Sequence, residues 1–163
     1  MHIKKLLIAN RGEIAIRIAR AASELHIQTV AIYTYEDRYS LHRYKADEAY
    51  QIGADNDPLK PYLDMDAIIY VAKDCGADAI HPGYGFLSEN AEFARKCAAN
   101  NIIFVGPDAE AMAALGDKVT AKEVARKAGI PLIESNQDPL LDEATALGEA
   151  RRIGYPLMLK AAA

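Results

Sequence analysis

The chain has 163 residues, 51% of them hydrophobic and 26% charged, with a formal net charge of −4. That balance belongs to a folded globular protein, and the length suffices for one good core, or for one core and the start of a second unit. The mild acidity excludes a global attraction to nucleic acid or to an anionic membrane surface, and the longest early apolar run, Leu6-Leu7-Ile8-Ala9, is far below a membrane span.

Met1-His2-Ile3-Lys4-Lys5 is basic, but no apolar signal region or small-residue cleavage site follows it. Residues 5–9 form a strand-like apolar run that ends at Asn10-Arg11-Gly12-Glu13. Asn10 is placed to cap a following helix, with Glu13 closing a capping box. In that helix Ile14, Ile18, Ala22 and Leu25 make one apolar stripe, while Arg17, Arg20 and Glu24 share the opposite, solvated side. Residues 29–34, rich in β-branched and aromatic side chains, predict a second strand, and residues 49–52 a weaker third.

Residues 62–73 read as a helix with Ile68, Ile69 and Val71 on a broad apolar side. A short strand over 78–81 stops abruptly at Pro82-Gly83-Tyr84-Gly85, and Ser88 or Asn90 then caps a helix holding Phe93, Ala94, Cys97 and Ala98. Residues 102–105 form the next strand, closed by Gly106-Pro107. Helices over 117–128 and 142–153 and a strand over 155–160 follow. Cys75 and Cys97 form no CxxC pair and are too few for a disulfide framework. Both read as reduced, packed residues in a reducing compartment, the cytoplasm.

Short strands alternating with helices predict a parallel sheet covered by helices on both faces, a three-layer, Rossmann-like α/β unit over residues 1–115. Residues 116–163 read as the beginning of another domain. In such sheets ligands sit beyond the carboxyl ends of the strands, so the loop expected after a strand ending at Lys160 is missing, which reads as truncation.

Chemistry-bearing residues are few. A dinucleotide site needs G-x-G-x-x-G at the first strand–helix junction, and only Gly12 is present there. Glu36-Asp37 stand where such folds carry a ribose-binding acid, but without the glycines they read as a solvated turn. In His81 to Asn90, two glycines around Tyr84 let the backbone bend and press the ring outward, either as a tight turn or as the wall of a site for a small polar or ring-containing ligand. Lys118, in the first turn of a helix, opposes the helix dipole, and Lys160 ends an apolar strand. As a pair they could hold nucleotide phosphates as point charges. His81 has no metal-spaced neighbour, His2, His26 and His42 are isolated, and no metal-ligand cluster or nucleophilic triad is visible.

Taken in order, Lys5-Leu6-Leu7-Ile8-Ala9-Asn10-Arg11-Gly12-Glu13, the stretch from His81 to Asn90, Phe104-Val105-Gly106-Pro107, Gly116-Asp117-Lys118-Val119 and Gly154-Tyr155-Pro156 resemble the front of the biotin carboxylases. Leu41 to Tyr50 is most similar to the pyruvate carboxylases, with the acetyl-CoA and propionyl-CoA carboxylases as the alternative. The resemblance implies a pre-ATP-grasp domain followed by the start of an ATP-grasp domain, broken off before its glycine-rich lid.

It also implies an ATP-dependent ligase that uses magnesium-ATP and bicarbonate to carboxylate N1 of biotin on a carrier domain, passing the carboxyl group to pyruvate to give oxaloacetate. Lys118 and Lys160 fall on the ATP-binding lysines of that family. Tyr84, Gly85 and Glu89 fall on the loop facing biotin and bicarbonate, and Arg20 and Glu24 on a carboxylase–carboxylase interface of a homodimer. The catalytic and metal-binding residues are expected further along, so these 163 residues alone are expected to be inactive and to hold no cofactor tightly. Other readings are a different ATP-grasp ligase, against which the His81 to Asn90 stretch argues, and a non-catalytic α/β interaction module docking through Arg17, Arg20 and Glu24. The lone Gly12 argues against a dehydrogenase.

Overall fold

A computed structural model describes residues 2–116, 118–132 and 140–159, apart from the side chains of residues 118–120. The chain divides into two compact units, Met1–Ala113 and Ala114–Ala163.

In the first unit five parallel strands form one sheet in the order β3-β2-β1-β4-β5. They are β1 (Lys5–Ile8), β2 (Gln28–Tyr33), β3 (Glu48–Gln51), β4 (Ala79–His81) and β5 (Ile103–Phe104). The helices are α1 (Gly12–Glu24), α2 (Leu41–Lys45), α3 (Met65–Asp74) and α4 (Ala91–Ala99), with α5 (Ala109–Gly116) running across the unit boundary and short 3₁₀ turns at Tyr35–Asp37 and Lys60–Leu63. The predicted three-layer α/β unit with a parallel sheet is what forms.

Alternation along β1 separates the two faces. Leu7 joins Val30, Ile32, Ile68, Ala72, Ile80, Phe93 and Cys97 in the larger core, under α3 and α4. Leu6 and Ile8 point the other way, towards Ala15, Ala19 and Ala22 of α1. Successive strand residues face opposite sides, so a strand covered on both faces is apolar throughout. The stripe predicted for α1 is therefore corrected: its buried line is Ala15, Ala19 and Ala22, while Leu25 is 67% exposed. Small side chains let the helix axis lie close to the sheet, and a purely hydrophobic count favours the larger residues instead.

Polar groups at the strand edges are partnered. Asp47 accepts from the Thr29 amide and hydroxyl at 2.7 and 2.8 Å, and Asp78 accepts from the amides of Lys4 and Lys5, both at 2.8 Å. Asn90, not Ser88, caps α4, accepting from the Phe93 amide at 2.9 Å. Cys97 is fully buried and Cys75 half-buried, and both are free thiols. Burial pushes the Cys97 thiol up to about 11.

In the second unit the described helices are α6 (Lys118–Lys127) and α7 (Glu143–Ile153). Asp142 caps α7 through the Thr145 amide at 2.7 Å, and α7 carries no buried residue. Residues 155–159 form no strand, contrary to the sequence expectation. A strand exists only through hydrogen bonds to a neighbouring strand, and the described residues offer this segment none. No described helix is long and apolar enough to cross a membrane.

Candidate functional site

The strand order reverses at β1, whose neighbours are β2 on one side and β4 on the other. In an open parallel sheet this switch point leaves a crevice at the carboxyl ends of the strands, where ligands bind. The loops there are Ala9 to Arg11 after β1 and Pro82 to Asn90 after β4.

Asn10 does not cap α1. The cap position is Arg11, whose side chain makes no capping bond. The Asn10 amide is instead wholly buried and donates to the carbonyls of Pro82 at 2.6 Å and Tyr84 at 3.0 Å. Glu13 closes no capping box with it, and accepts from the Tyr84 hydroxyl at 3.3 Å. A loop carbonyl buried beside the sheet needs a donor more than a helix end open to water does.

Gly83 and Gly85 take φ of +68° and +70°, and Phe86 one of +44°. At Gly83 a Cβ would lie 2.7 Å from both Asn10 Nδ2 and Ile14 Cγ2. Gly83 thus packs against the end of β1 and the start of α1, and Gly12 is the only glycine at the first strand–helix turn, so the dinucleotide pattern is lacking there.

Asp37 corrects a second expectation. It is not a solvated turn residue but is 3% exposed. Arg11 donates to both of its oxygens, at 2.6 and 2.5 Å, Tyr62 to Oδ2 at 2.8 Å, and Ser40 to Oδ1 at 2.9 Å. Burial alone would raise the carboxyl, but these donors outweigh it and bring it to about 2. Burial and the same carboxylate push the Tyr62 hydroxyl well above its usual range. The acid in the ribose position is thus spent inside the protein. Beside it, the Gly12 amide donates to Nδ1 of the buried His42 at 3.3 Å, so that Nε2 carries the proton towards the Ile32 carbonyl, also at 3.3 Å. Burial lowers the pKa of this imidazole.

On the outer side of the loop, Tyr84 is 66% exposed, and Gly85 and Glu89 are exposed as well. Beneath them Leu87 is buried and Phe86 stacks on Tyr62, with ring centroids 5.2 Å apart. The stretch is thus anchored below and presents one aromatic ring and one carboxylate outward. His81 is a satisfied turn histidine, accepting from the Gly83 amide at 3.0 Å. Arg17, Arg20 and Glu24 are exposed on α1. Lys118 opens α6, its side chain lying outside the described residues, as does the whole of Lys160. Among the described residues no group of three or more His, Cys, Asp or Glu could hold a metal ion.

Sequence reasoning missed Asn10 as a loop holder and the Arg11–Asp37–Tyr62 cluster. The available signal was position: Asn10 and Asp37 lie in the turns that follow the carboxyl ends of β1 and β2.

A parallel α/β unit with its switch point closed by side chains and a glycine-bounded tyrosine turned outward is a Rossmann-like domain without a dinucleotide grip. Residues 2–112 match the biotin carboxylase N-terminal domain family, and residues 117–163 match the ATP-binding domain of the carbamoyl-phosphate synthase L chain. The chain belongs to the biotin carboxylase family. It is 57% identical over 159 residues to the pyruvate carboxylase of Staphylococcus aureus, covering 98% of this chain and 14% of that protein. With the biotin carboxylase of Halalkalibacterium halodurans it shares 52% identity, covering 98% of this chain and 35% of that protein. Among solved structures, the biotin carboxylase domain of a thermophilic 2-oxoglutarate carboxylase bound to bicarbonate has a TM-score of 0.88 at 48% identity, covering 99% of this chain and 36% of that one. The biotin carboxylase subunit of a pyruvate carboxylase has a TM-score of 0.82 at 51% identity, covering 99% and 36%.

Proposed function

We propose that these residues are the front of a biotin-dependent carboxylase of the pyruvate carboxylase kind, a magnesium-ATP-dependent ligase that carboxylates biotin with bicarbonate and passes the carboxyl group to pyruvate. The observation that carries this reading is the outward-facing turn around Tyr84, held by Asn10 at the switch point of a chain that matches the family from residue 2 to residue 112. Residues 1–115 would be the pre-ATP-grasp domain and residues 116–163 the opening of the ATP-grasp domain.

The roles divide by chemistry. Lys118 and Lys160 bind ATP phosphates as point charges. Tyr84 and Glu89 face biotin and bicarbonate, with Gly85 letting backbone approach the ligand. The exposed ring suits the flat ureido end of biotin. When bound, biotin supplies the nucleophilic nitrogen that takes up the carboxyl group, and the residues of this chain orient it. Arg20 and Glu24 lie on the face of α1 that would meet a second carboxylase copy. Phosphoryl transfer requires metal ions and converging donors, which two lysines do not provide, so magnesium carboxylates, the base and the carrier domain belong to the longer carboxylase. The free thiols of Cys75 and Cys97 fit a reducing compartment such as the cytoplasm.

Steady-state kinetics of a full-length carboxylase carrying this segment test the assignment. Lys118→Gln is expected to raise the KM for ATP tenfold or more with little change for biotin, and Tyr84→Ala to do the reverse. Unchanged KM values for both substrates in both variants would sink it.

A further inference from the structure

Asn10 is the second residue beyond the four strand pairs that β1 shares with β2, and it is wholly buried. Its Oδ1 accepts from the Arg11 amide at 2.9 Å, and its two N–H groups go to Pro82 O at 2.6 Å and Tyr84 O at 3.0 Å. Both donors of the carboxamide are therefore committed to one loop, 72 and 74 positions away. The loop is shaped around it. Gly83 carries no side chain where a Cβ would strike Nδ2 at 2.7 Å, and its amide is tied to His81 Nδ1 at 3.0 Å. Three consecutive residues thus have a backbone group fixed by a side chain at the end of β1 or β4.

The Tyr84 ring itself is not fixed by packing, since the residue is 66% exposed. Its hydroxyl has one long bond, 3.3 Å to Glu13, at an open surface. Where the ring stands is set through its backbone, and that backbone hangs from Asn10. A binding group must be held to within a fraction of an ångström by a rigid support if its contact is to be productive.

We propose that Asn10 is a positioning residue for the biotin-facing loop. Its buried carboxamide sets where Tyr84 presents its ring, a role that rests on the reading of Tyr84 as biotin-facing. Only a side chain with two donors and this length serves both carbonyls. Aspartate has the shape but would turn acceptors towards acceptors.

The test uses a full-length carboxylase carrying this segment, with free biotin as the carboxyl acceptor. Asn10→Ala is expected to raise the KM for biotin at least tenfold while the KM for ATP stays within twofold. A merely structural role would lower the melting temperature and the active fraction, reducing kcat for every substrate without moving the biotin KM. An unchanged biotin KM in Asn10→Ala, or a joint rise for biotin and ATP, overturns the proposal. If Asn10→Ala does not fold, Asn10→Ser, which keeps one hydroxyl donor, is expected to show the same split with a smaller rise, and an unchanged biotin KM there overturns it equally. Tyr84→Ala separates the two ideas. With biotin KM raised in Tyr84→Ala but not in the Asn10 variants, only the positioning role fails; with no rise in Tyr84→Ala, the biotin-facing reading fails and takes the positioning role with it.

Discussion

Arg11 grips both carboxylate oxygens of Asp37, at 2.6 and 2.5 Å, across 26 positions of the chain. The pair joins the first turn after β1 to the first turn after β2, and Tyr62 closes it from below at 2.8 Å. Bidentate, charge-assisted bonds of this kind are about twice as strong as neutral ones. The Arg11 side chain is 39% exposed and Asp37 only 4%, so loss of the acid leaves a cation that can turn to water. Asp37→Asn is therefore expected to cost about 2 kcal/mol, and Tyr62→Phe, which removes one donor from a buried carboxylate, about 1.5 kcal/mol. Urea unfolding monitored by circular dichroism reads both. Losses under about 0.5 kcal/mol would mean that the cluster contributes nothing beyond an exposed ion pair.

Acid should destabilise the fold in two steps. His42 is buried with a lowered pKa, so its contribution is complete above 6.5, the value of a free imidazole, and fades as pH falls from there towards its folded value. Asp37 contributes above 3.8, the ordinary carboxylate value, and its share is lost as pH falls to about 2. That second step amounts to about 2 kcal/mol. Unfolding free energy measured from pH 8 to about pH 2 is expected to fall first below 6.5 and again below 3.8, and nitrogen-detected NMR should find His42 neutral at pH 6.5 with its proton on Nε2. Protonation of His42 at or above that pH would contradict the tautomer drawn from the Gly12 and Ile32 bonds.

The two glycines flanking Tyr84 are not equivalent. Both have positive φ, at +68° and +70°, but a Cβ on Gly83 meets Asn10 and Ile14 at 2.7 Å, whereas one on Gly85 meets nothing within 4 Å. Gly85→Ala carries the backbone strain alone, about 1 kcal/mol. Gly83→Ala adds overpacking against a buried amide, for a total of about 3 kcal/mol. Thermal unfolding of the two variants should separate them clearly, and equal effects would mean that the loop shifts away from Asn10 at little expense.

Much of this fold is legible in the sequence because it rests on local pattern. The β-branched run through Val30 and Ile32 and the apolar run through Leu6 to Ile8 announce strands, and Pro82 to Gly85 announces a break. The errors have a shared cause. Asn10, Asp37 and the buried line of α1 are defined by partners 25 to 74 residues away or by how closely a helix lies on a sheet, and neither is written in a local window. Asn10 ahead of a helix satisfies every local rule for a cap, yet the buried carbonyls of Pro82 and Tyr84 outcompete the helix end. The residues 155–159 misled for a related reason, since an apolar segment becomes a strand only beside another. The exposed residues Tyr84, Gly85 and Glu89 are legible as candidates from the glycine-bounded tyrosine and from the family resemblance of their stretch.

The most direct measurement is bicarbonate-dependent phosphate release from magnesium-ATP, with and without free biotin. It is made on the 163-residue chain and on a full-length carboxylase carrying it. The full-length enzyme is expected to release phosphate, with biotin accelerating it, while the 163-residue chain releases none above background. Biotin-stimulated release by the 163 residues alone, or its absence from an intact full-length enzyme, would contradict the account of this chain as the substrate-positioning front of a carboxylase.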